Sequence, residues 1–70
     1  MLILSKDRNC LVNMNNMLEL CVVGEYIQAI PLNNTMAITL GRYDSEGRTK
    51  EVFAEIVSHC GDDFYRMPCR

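Results

Sequence analysis

The chain has 70 residues, no tryptophan, and a formal net charge of −2 at pH 7 with a pI near 5.2. This length predicts a single domain over residues 1–70, with a small core that buries only about 60% of the unfolded surface. The acidic balance disfavours nucleic acid as a partner, because a broad binding face for it needs an excess of positive charge. No stretch approaches the roughly 20 apolar residues of a membrane span, so we expect no membrane association.

Short apolar runs separated by polar turns predict strands in the first half of the chain. These runs lie at residues 2–4, 10–12, 18–23 and 26–30. The last two flank Gly24 and Glu25, a pair that suggests a tight hairpin connection. Pro31 is expected to end the second hairpin strand or to mark a sheet edge. Residues 33–35 then predict a turn into the next strand.

A strand and the start of a helix are predicted next. Met36, Ile38 and Leu40 alternate with small or polar residues, as in a strand with one buried face. Ser45, with Asp44 before it, is a good N-cap, since a short side-chain oxygen accepts from the unpaired amides of the first turn.

The helix itself is expected over residues 45–60, because an apolar stripe recurs at three- and four-residue spacing. The stripe consists of Thr49, Val52, Phe53, Ile56, Val57 and Cys60. We expect it to pack on Ile3, Leu20, Val22, Ile38 and Leu40. Gly61 is expected to follow in the left-handed conformation, and residues 64–67 predict a last short strand. The predicted fold class is α+β, a small antiparallel sheet of four to five strands with one helix packed on one face.

The four cysteines bear on metal binding and on the compartment. They are Cys10, Cys21, Cys60 and Cys69, separated by 11, 39 and 9 positions. This spacing lacks the Cys-x-x-Cys pairs of zinc sites, so we expect no metal and no cofactor. We expect no signal peptide after the short initial apolar run, and therefore reduced thiols in a cytoplasm. Oligomerisation is then the remaining way to stabilise so small a core, and we expect a homo-oligomer.

Basic residues cluster around the predicted helix start. The candidate ligand-binding residues are Arg42, Tyr43, Ser45, Arg48 and Lys50. A helix N-terminus beside arginines and an aromatic ring can bind a phosphate, with Tyr43 expected to stack on the ligand. The simpler interpretation is a solvated turn whose charges pair with Asp44 and Glu46. A second, smaller basic cluster, Lys6 and Arg8, lies in the first turn.

No arrangement of side chains typical of catalysis is visible. Ser58 and His59 are neighbours that diverge on a helix, and the pair Asp62 and Asp63 lies in a predicted loop. The glycines near the helix start are isolated and do not form a phosphate-binding loop. We therefore expect that the protein is not an enzyme.

Four motifs carry a resemblance to a known family. Leu40-Gly41-Arg42-Tyr43 fits a strand ending in Leu-Gly-x-Tyr, and Ser45 fits the capping residue after it. Lys50-Glu51-Val52 fits a Lys-Glu-Val helix, and Tyr65-Arg66-Met67-Pro68 fits a Tyr-x-Met-Pro close. In these motifs the chain resembles a family of small uncharacterised proteins carried by phages and prophages of Gram-positive bacteria. The resemblance implies a fold and a genomic setting but no activity.

By analogy with small phage accessory proteins, we expect a non-catalytic binding protein that counteracts host defence in the cytoplasm of the host cell. It would do so by stoichiometric binding of a host protein or by sequestering a nucleotide signal. One alternative is a small nucleic-acid-binding regulator, which the acidic pI disfavours. Another is a structural or assembly subunit.

Overall fold

The computed structural model describes residues 1–33 and 36–70. Its strands are β1 (Leu2–Leu4), β2 (Leu11–Asn13), β3 (Met17–Val23), β4 (Tyr26–Pro31), β5 (Ile38–Arg42) and β6 (Phe64–Arg66). A short 3₁₀ turn (Met14–Asn16) precedes β3. Helix α1 (Glu46–Ser58) follows β5 and precedes β6 along the chain. The predicted α+β class is confirmed. The turn expected at residues 33–35 includes residues 34 and 35, which lie outside the described part.

The described strands form two three-stranded sheets, where the sequence predicted one antiparallel sheet of four to five strands. In the first sheet β1 lies between β2, which is antiparallel to it, and β6, which is parallel. In the second, β4 lies between β3 and β5, both antiparallel. The sheets meet where the amide of Lys6 donates a 2.8 Å hydrogen bond to the backbone oxygen of Leu40. Local patterns identify strands but carry no information on which distant strand each one pairs with.

The hairpin between β3 and β4 has the predicted two-residue connection. Val23 pairs with Tyr26 across it, and Gly24 has a φ of 61°. Glu25 is not among the described residues with positive φ, so the glycine occupies the first loop position as in a type II′ turn. This turn matches the twist of the two strands and fixes their register.

The core lies between the two sheets and α1. Its buried apolar residues are Ile3, Val12, Ile27, Ala29, Leu40, Tyr43, Val52, Ile56, Tyr65 and Met67. The expected partners Leu20, Val22 and Ile38 are partly buried against this cluster. The helix stripe is narrower than predicted, because Val57 is 54% exposed and Phe53 is only partly buried.

Helix α1 begins as predicted and ends earlier. The Oγ of Ser45 accepts a 3.1 Å hydrogen bond from the amide of Arg48 and caps the first turn. At the other end His59 is the C-cap, and its amide bonds back to the backbone oxygen of Glu55. The expectation that Gly61 adopts the left-handed conformation is wrong, since Gly24 is the described glycine with positive φ. None of the described helices has the length and apolarity needed to cross a membrane.

Candidate functional site

Lys6 lies at the centre of the region that holds the predicted binding residues. Its Nζ donates a 2.6 Å hydrogen bond to the backbone oxygen of Arg42. The same Nζ lies 4.7 Å from the centre of the Tyr43 ring, within range of a cation–π interaction. Because the Lys6 amide pairs with β5, the first turn of the chain is held against the strand–helix junction. The structure thus joins residues from two basic clusters that the sequence shows as separate.

Tyr43 is a buried structural residue. Its side chain is 2% exposed, and its hydroxyl donates a 2.8 Å hydrogen bond to the backbone oxygen of Pro68. The guanidinium carbon of Arg48 lies 5.8 Å from the ring centre. Desolvation by burial raises the pKa of the Tyr43 hydroxyl. The prediction that Tyr43 stacks on a ligand is therefore wrong, because a buried ring that already contacts Lys6 and Arg48 cannot offer its face to a base.

Arg42 is exposed and pairs with a residue of the β3–β4 turn. Its Nε and Nη2 donate to Glu25 Oε1 at 3.1 and 3.0 Å, and its guanidinium carbon lies 5.7 Å from the Tyr26 ring centre. The hydrogen bonding of its guanidinium to Glu25 is the largest cause of a raised pKa for Arg42. The simpler interpretation of the sequence expected the charges of this cluster to pair with Asp44 and Glu46, which are neighbours in sequence. Glu25 takes that place because β4 and β5 are adjacent in the sheet.

Arg48 faces the last described segment of the chain. Its Nε donates a 3.0 Å hydrogen bond to the backbone oxygen of Arg70, and its Nη1 lies 3.5 Å from Glu51 Oε1. Its side chain is 36% exposed. Arg48 and Arg42 therefore have different partners.

The other two predicted residues do not line this region. Ser45 caps α1, so its side-chain oxygen is already committed to the Arg48 amide. Lys50 is exposed and lies 3.9 Å from Glu46, one turn earlier on the helix. This pair is the one expected from the simpler interpretation of the charges, and such exposed pairs contribute little to stability.

Three open depressions surround the Lys6 side chain. One, of about 350 Å³, is lined by Lys6, Glu25, Arg42, Tyr43 and Asp44, with as many acidic as basic side chains. The second, of about 450 Å³, includes Arg42, Asp7 and the apolar Leu40. The third, of about 370 Å³, is lined by Lys6, Tyr43, Asp44, Arg48, Cys69 and Arg70. We call the third the Arg48 groove, since it alone of these three includes that residue.

The Arg48 groove has three basic side chains against one carboxylate. Cys69 and Arg70 form one wall of it, and Arg8 holds the segment at residues 67–70 to which they belong. Arg8 donates from Nη1 to the backbone oxygen of Met67 at 2.9 Å and from Nη2 to Cys69 Sγ at 3.0 Å. No local pattern marks Cys69 and Arg70 as lining residues, because only the fold brings them beside the helix start.

The side chains considered for catalysis lie outside the groove linings. His59 Nδ1 is 2.7 Å from Asp62 Oδ2 at the far end of α1, and both side chains are exposed. The Oγ of Ser58 donates to the backbone oxygen of Glu55 at 2.7 Å. Within residues 1–33 and 36–70, no cluster of three or more His, Cys, Asp and Glu side chains is placed to hold a metal ion. Comparison with family models, with curated proteins and with solved structures finds no match for the chain.

Proposed function

We propose that this chain is a non-catalytic binding protein that captures a small phosphate-bearing ligand in the Arg48 groove. The observation that supports this is the convergence of Lys6, Arg48 and Arg70, from three different segments, on one depression of about 370 Å³. Depressions of roughly 300–1,000 Å³ are typical of small-molecule sites. Charge-assisted hydrogen bonds from such cations to phosphate oxygens are among the stronger polar interactions in proteins.

Lys6 and Arg48 retain donors for a ligand, although the Nε and Nη2 of Arg48 both donate to the backbone oxygen of Arg70. The Lys6 ammonium has three N–H donors, and its 2.6 Å hydrogen bond to the backbone oxygen of Arg42 uses one of them. The contact from Arg48 Nη1 to Glu51 is 3.5 Å, which is long for a hydrogen bond. A bound anion could therefore replace Glu51 as the partner of Nη1. Asp44 is the opposing charge in the groove, and the remaining excess of two positive side chains favours ligands with more than one negative charge.

The biological role that we propose is that of a phage-type accessory protein which counteracts host defence by sequestering a nucleotide signal. Its support is the sequence resemblance in the Leu-Gly-x-Tyr, Lys-Glu-Val and Tyr-x-Met-Pro motifs, together with a groove of nucleotide size. Sequestration needs only stoichiometric binding in the host cytoplasm. Binding of a long nucleic acid is less well supported, because Arg42 and Lys50 pair with acidic neighbours and do not extend the groove into a basic stripe.

A thermal-shift and calorimetry screen tests the proposal. The probes are cyclic dinucleotides, ADP-ribose and a short oligonucleotide, since a ligand that binds the folded state raises its melting temperature. We expect a small nucleotide to raise the melting temperature of the wild type and of Arg42→Ala, but not that of Arg48→Ala. Without ligand, the free energy of unfolding of Arg48→Ala should lie within about 1 kcal/mol of the wild-type value, because surface charge pairs contribute little to stability.

The Arg42→Ala variant is the matched control, since it removes the same charge from a neighbouring depression. Loss of binding in Arg42→Ala with retention in Arg48→Ala would contradict the assignment to the Arg48 groove. Absence of any shift across the whole panel would contradict the proposed ligand class.

A further inference from the structure

Among the strands of residues 1–33 and 36–70, β3 is an edge of its sheet, and it carries few of the usual edge protections. It pairs with β4 on one side and ends the strand order β3-β4-β5. Edge strands commonly carry lysine or proline, which block pairing with another chain. Met17–Val23 contains neither residue type, and its one irregularity is the register shift between Met17 and Glu19. The stretch from Glu19 to Val23 is therefore a regular edge whose one charged side chain is Glu19.

The hairpin geometry shows which backbone groups this edge offers. A two-residue loop is closed by a hydrogen-bonded pair, here Val23 and Tyr26, and such pairs alternate along an antiparallel ladder. Glu19, Cys21 and Val23 thus direct their amides and carbonyls to β4. Leu20 and Val22 direct theirs outward, where another strand would satisfy them.

We propose that two copies of this chain associate through antiparallel pairing of their β3 strands, with the two-fold axis at Cys21. Cys21 is the centre of the regular stretch from Glu19 to Val23, so this register uses all of it. Leu20 of each copy then forms a hydrogen-bonded pair with Val22 of the other. The β3-β4-β5 sheet of one copy and that of the other then form one continuous sheet, with both α1 helices on the same face. Leu20 and Val22, each partly buried, gain apolar neighbours along the new seam.

The charges along the strand favour this register over its neighbours. With the axis at Cys21, Glu19 lies opposite Val23 of the second copy. An axis at Glu19 places the two Glu19 carboxylates directly opposite each other, and an axis at Val22 places Glu19 opposite Glu25. Like charges at opposite positions destabilise a strand pair. An axis at Leu20 requires regular pairing by Leu18, which lies at the register shift.

A second copy is the occupant that this pattern fits. The strand is self-complementary about Cys21, and the association extends a core whose small size limits its stability. The pairing uses the sheet edge and none of the residues that line the Arg48 groove. The proposed dimer can therefore be tested independently of the proposed ligand.

Charge insertion at the axis is the first test. In Cys21→Glu two new carboxylates would face each other, so analytical ultracentrifugation should show a dimer for the wild type and a monomer for the variant. The matched control is Gln28→Glu, because Gln28 lies directly across from Cys21 on β4 and away from the edge. That variant should remain a dimer. A wild type that sediments as a monomer at high micromolar concentration overturns the proposal.

Disulfide trapping tests the register without adding a charge. Opposite residues of a non-hydrogen-bonded pair have Cα atoms about 4.5 Å apart, within the range of a disulfide. A protein that keeps only Cys21 should cross-link when diamide takes two electrons and two protons from the paired thiols. A protein that keeps only Cys10, which is also partly buried, is the control and should stay monomeric on a denaturing gel. Equal cross-linking of both proteins, or none in the Cys21 protein, would contradict the proposed axis.

Discussion

The hydroxyl of Tyr43 donates a 2.8 Å hydrogen bond to the backbone oxygen of Pro68, and so fastens the last described segment to the strand–helix junction. The amide of Met67 donates to the backbone oxygen of Leu4 in the same region. Together these bonds position the segment that contributes Cys69 and Arg70 to the Arg48 groove. The ring predicted to bind a ligand instead holds the wall of the groove.

Tyr43→Phe should lower the free energy of unfolding by about 1 kcal/mol. The change keeps the buried ring but removes one partner of a hydrogen bond, which leaves the Pro68 oxygen unpaired in a partly buried place. Urea unfolding followed by circular dichroism measures the difference. The control is Tyr26→Phe, since Tyr26 is 40% exposed and its loss of a hydroxyl should cost little. Equal stability of the two variants would mean that the Tyr43 hydrogen bond contributes nothing.

Stability should fall at alkaline pH because of two buried tyrosines. Burial is the largest cause of a raised pKa for both Tyr43 and Tyr65, and the hydrogen bond from Tyr65 to Glu55 raises the pKa of Tyr65 further. Each tyrosine has a higher pKa in the folded chain than in the unfolded chain. Its contribution to the free energy of unfolding is therefore complete below the unfolded-state pKa of about 10 and is lost as the pH rises through the folded-state pKa. Urea unfolding at a series of pH values above 9 tests this expectation.

The matched variant for the alkaline experiment is Tyr65→Phe, which removes one of the two titrating hydroxyls. Its free energy of unfolding should decline less steeply with pH than that of the wild type. Identical slopes for both proteins would show that Tyr65 does not titrate differently in the folded and unfolded chains.

Ser45→Ala should cost about 1 kcal/mol of stability, because it removes the side-chain oxygen that caps α1. The control is Ser58→Ala, whose hydroxyl bonds an exposed carbonyl within the same helix. Thermal melts of the two variants compare how much each serine, at the N-terminal and C-terminal ends of α1, contributes to stability. A nucleotide that binds the wild type should still bind Ser45→Ala, and loss of that binding would return Ser45 to the list of ligand contacts.

The local elements of the fold could be predicted from the sequence, and their arrangement could not. The alternation of apolar and polar residues, the Gly24 turn and the Ser45 cap each depend on residues that are close in sequence. The strands, the hairpin and the helix start are therefore predicted close to their observed bounds. Pairing of β1 with β6 depends on residues some 60 positions apart and leaves no local pattern.

The candidate site shows the same division between local and distant information. Arg42 and Arg48 were identified because they flank the helix start, and both do line depressions there. The contact of Lys6 with this region and the burial of Tyr43 depend on residues that are distant in sequence, including Lys6 and Pro68. A tyrosine between an arginine and an aspartate has no local feature that marks it as buried.

The parallel pairing of β1 with β6 also bears on how fast the chain folds. Leu2–Leu4 is the central strand of its sheet, yet one of its two neighbours is Phe64–Arg66. Closing a loop over nearly the whole chain carries an entropic cost before any contact repays it, and such topologies fold in milliseconds to seconds rather than microseconds. The hairpin of β3 and β4 can form early on its own, whereas the first sheet must wait for the last strand, and the unpaired edges are exposed to other chains during that delay.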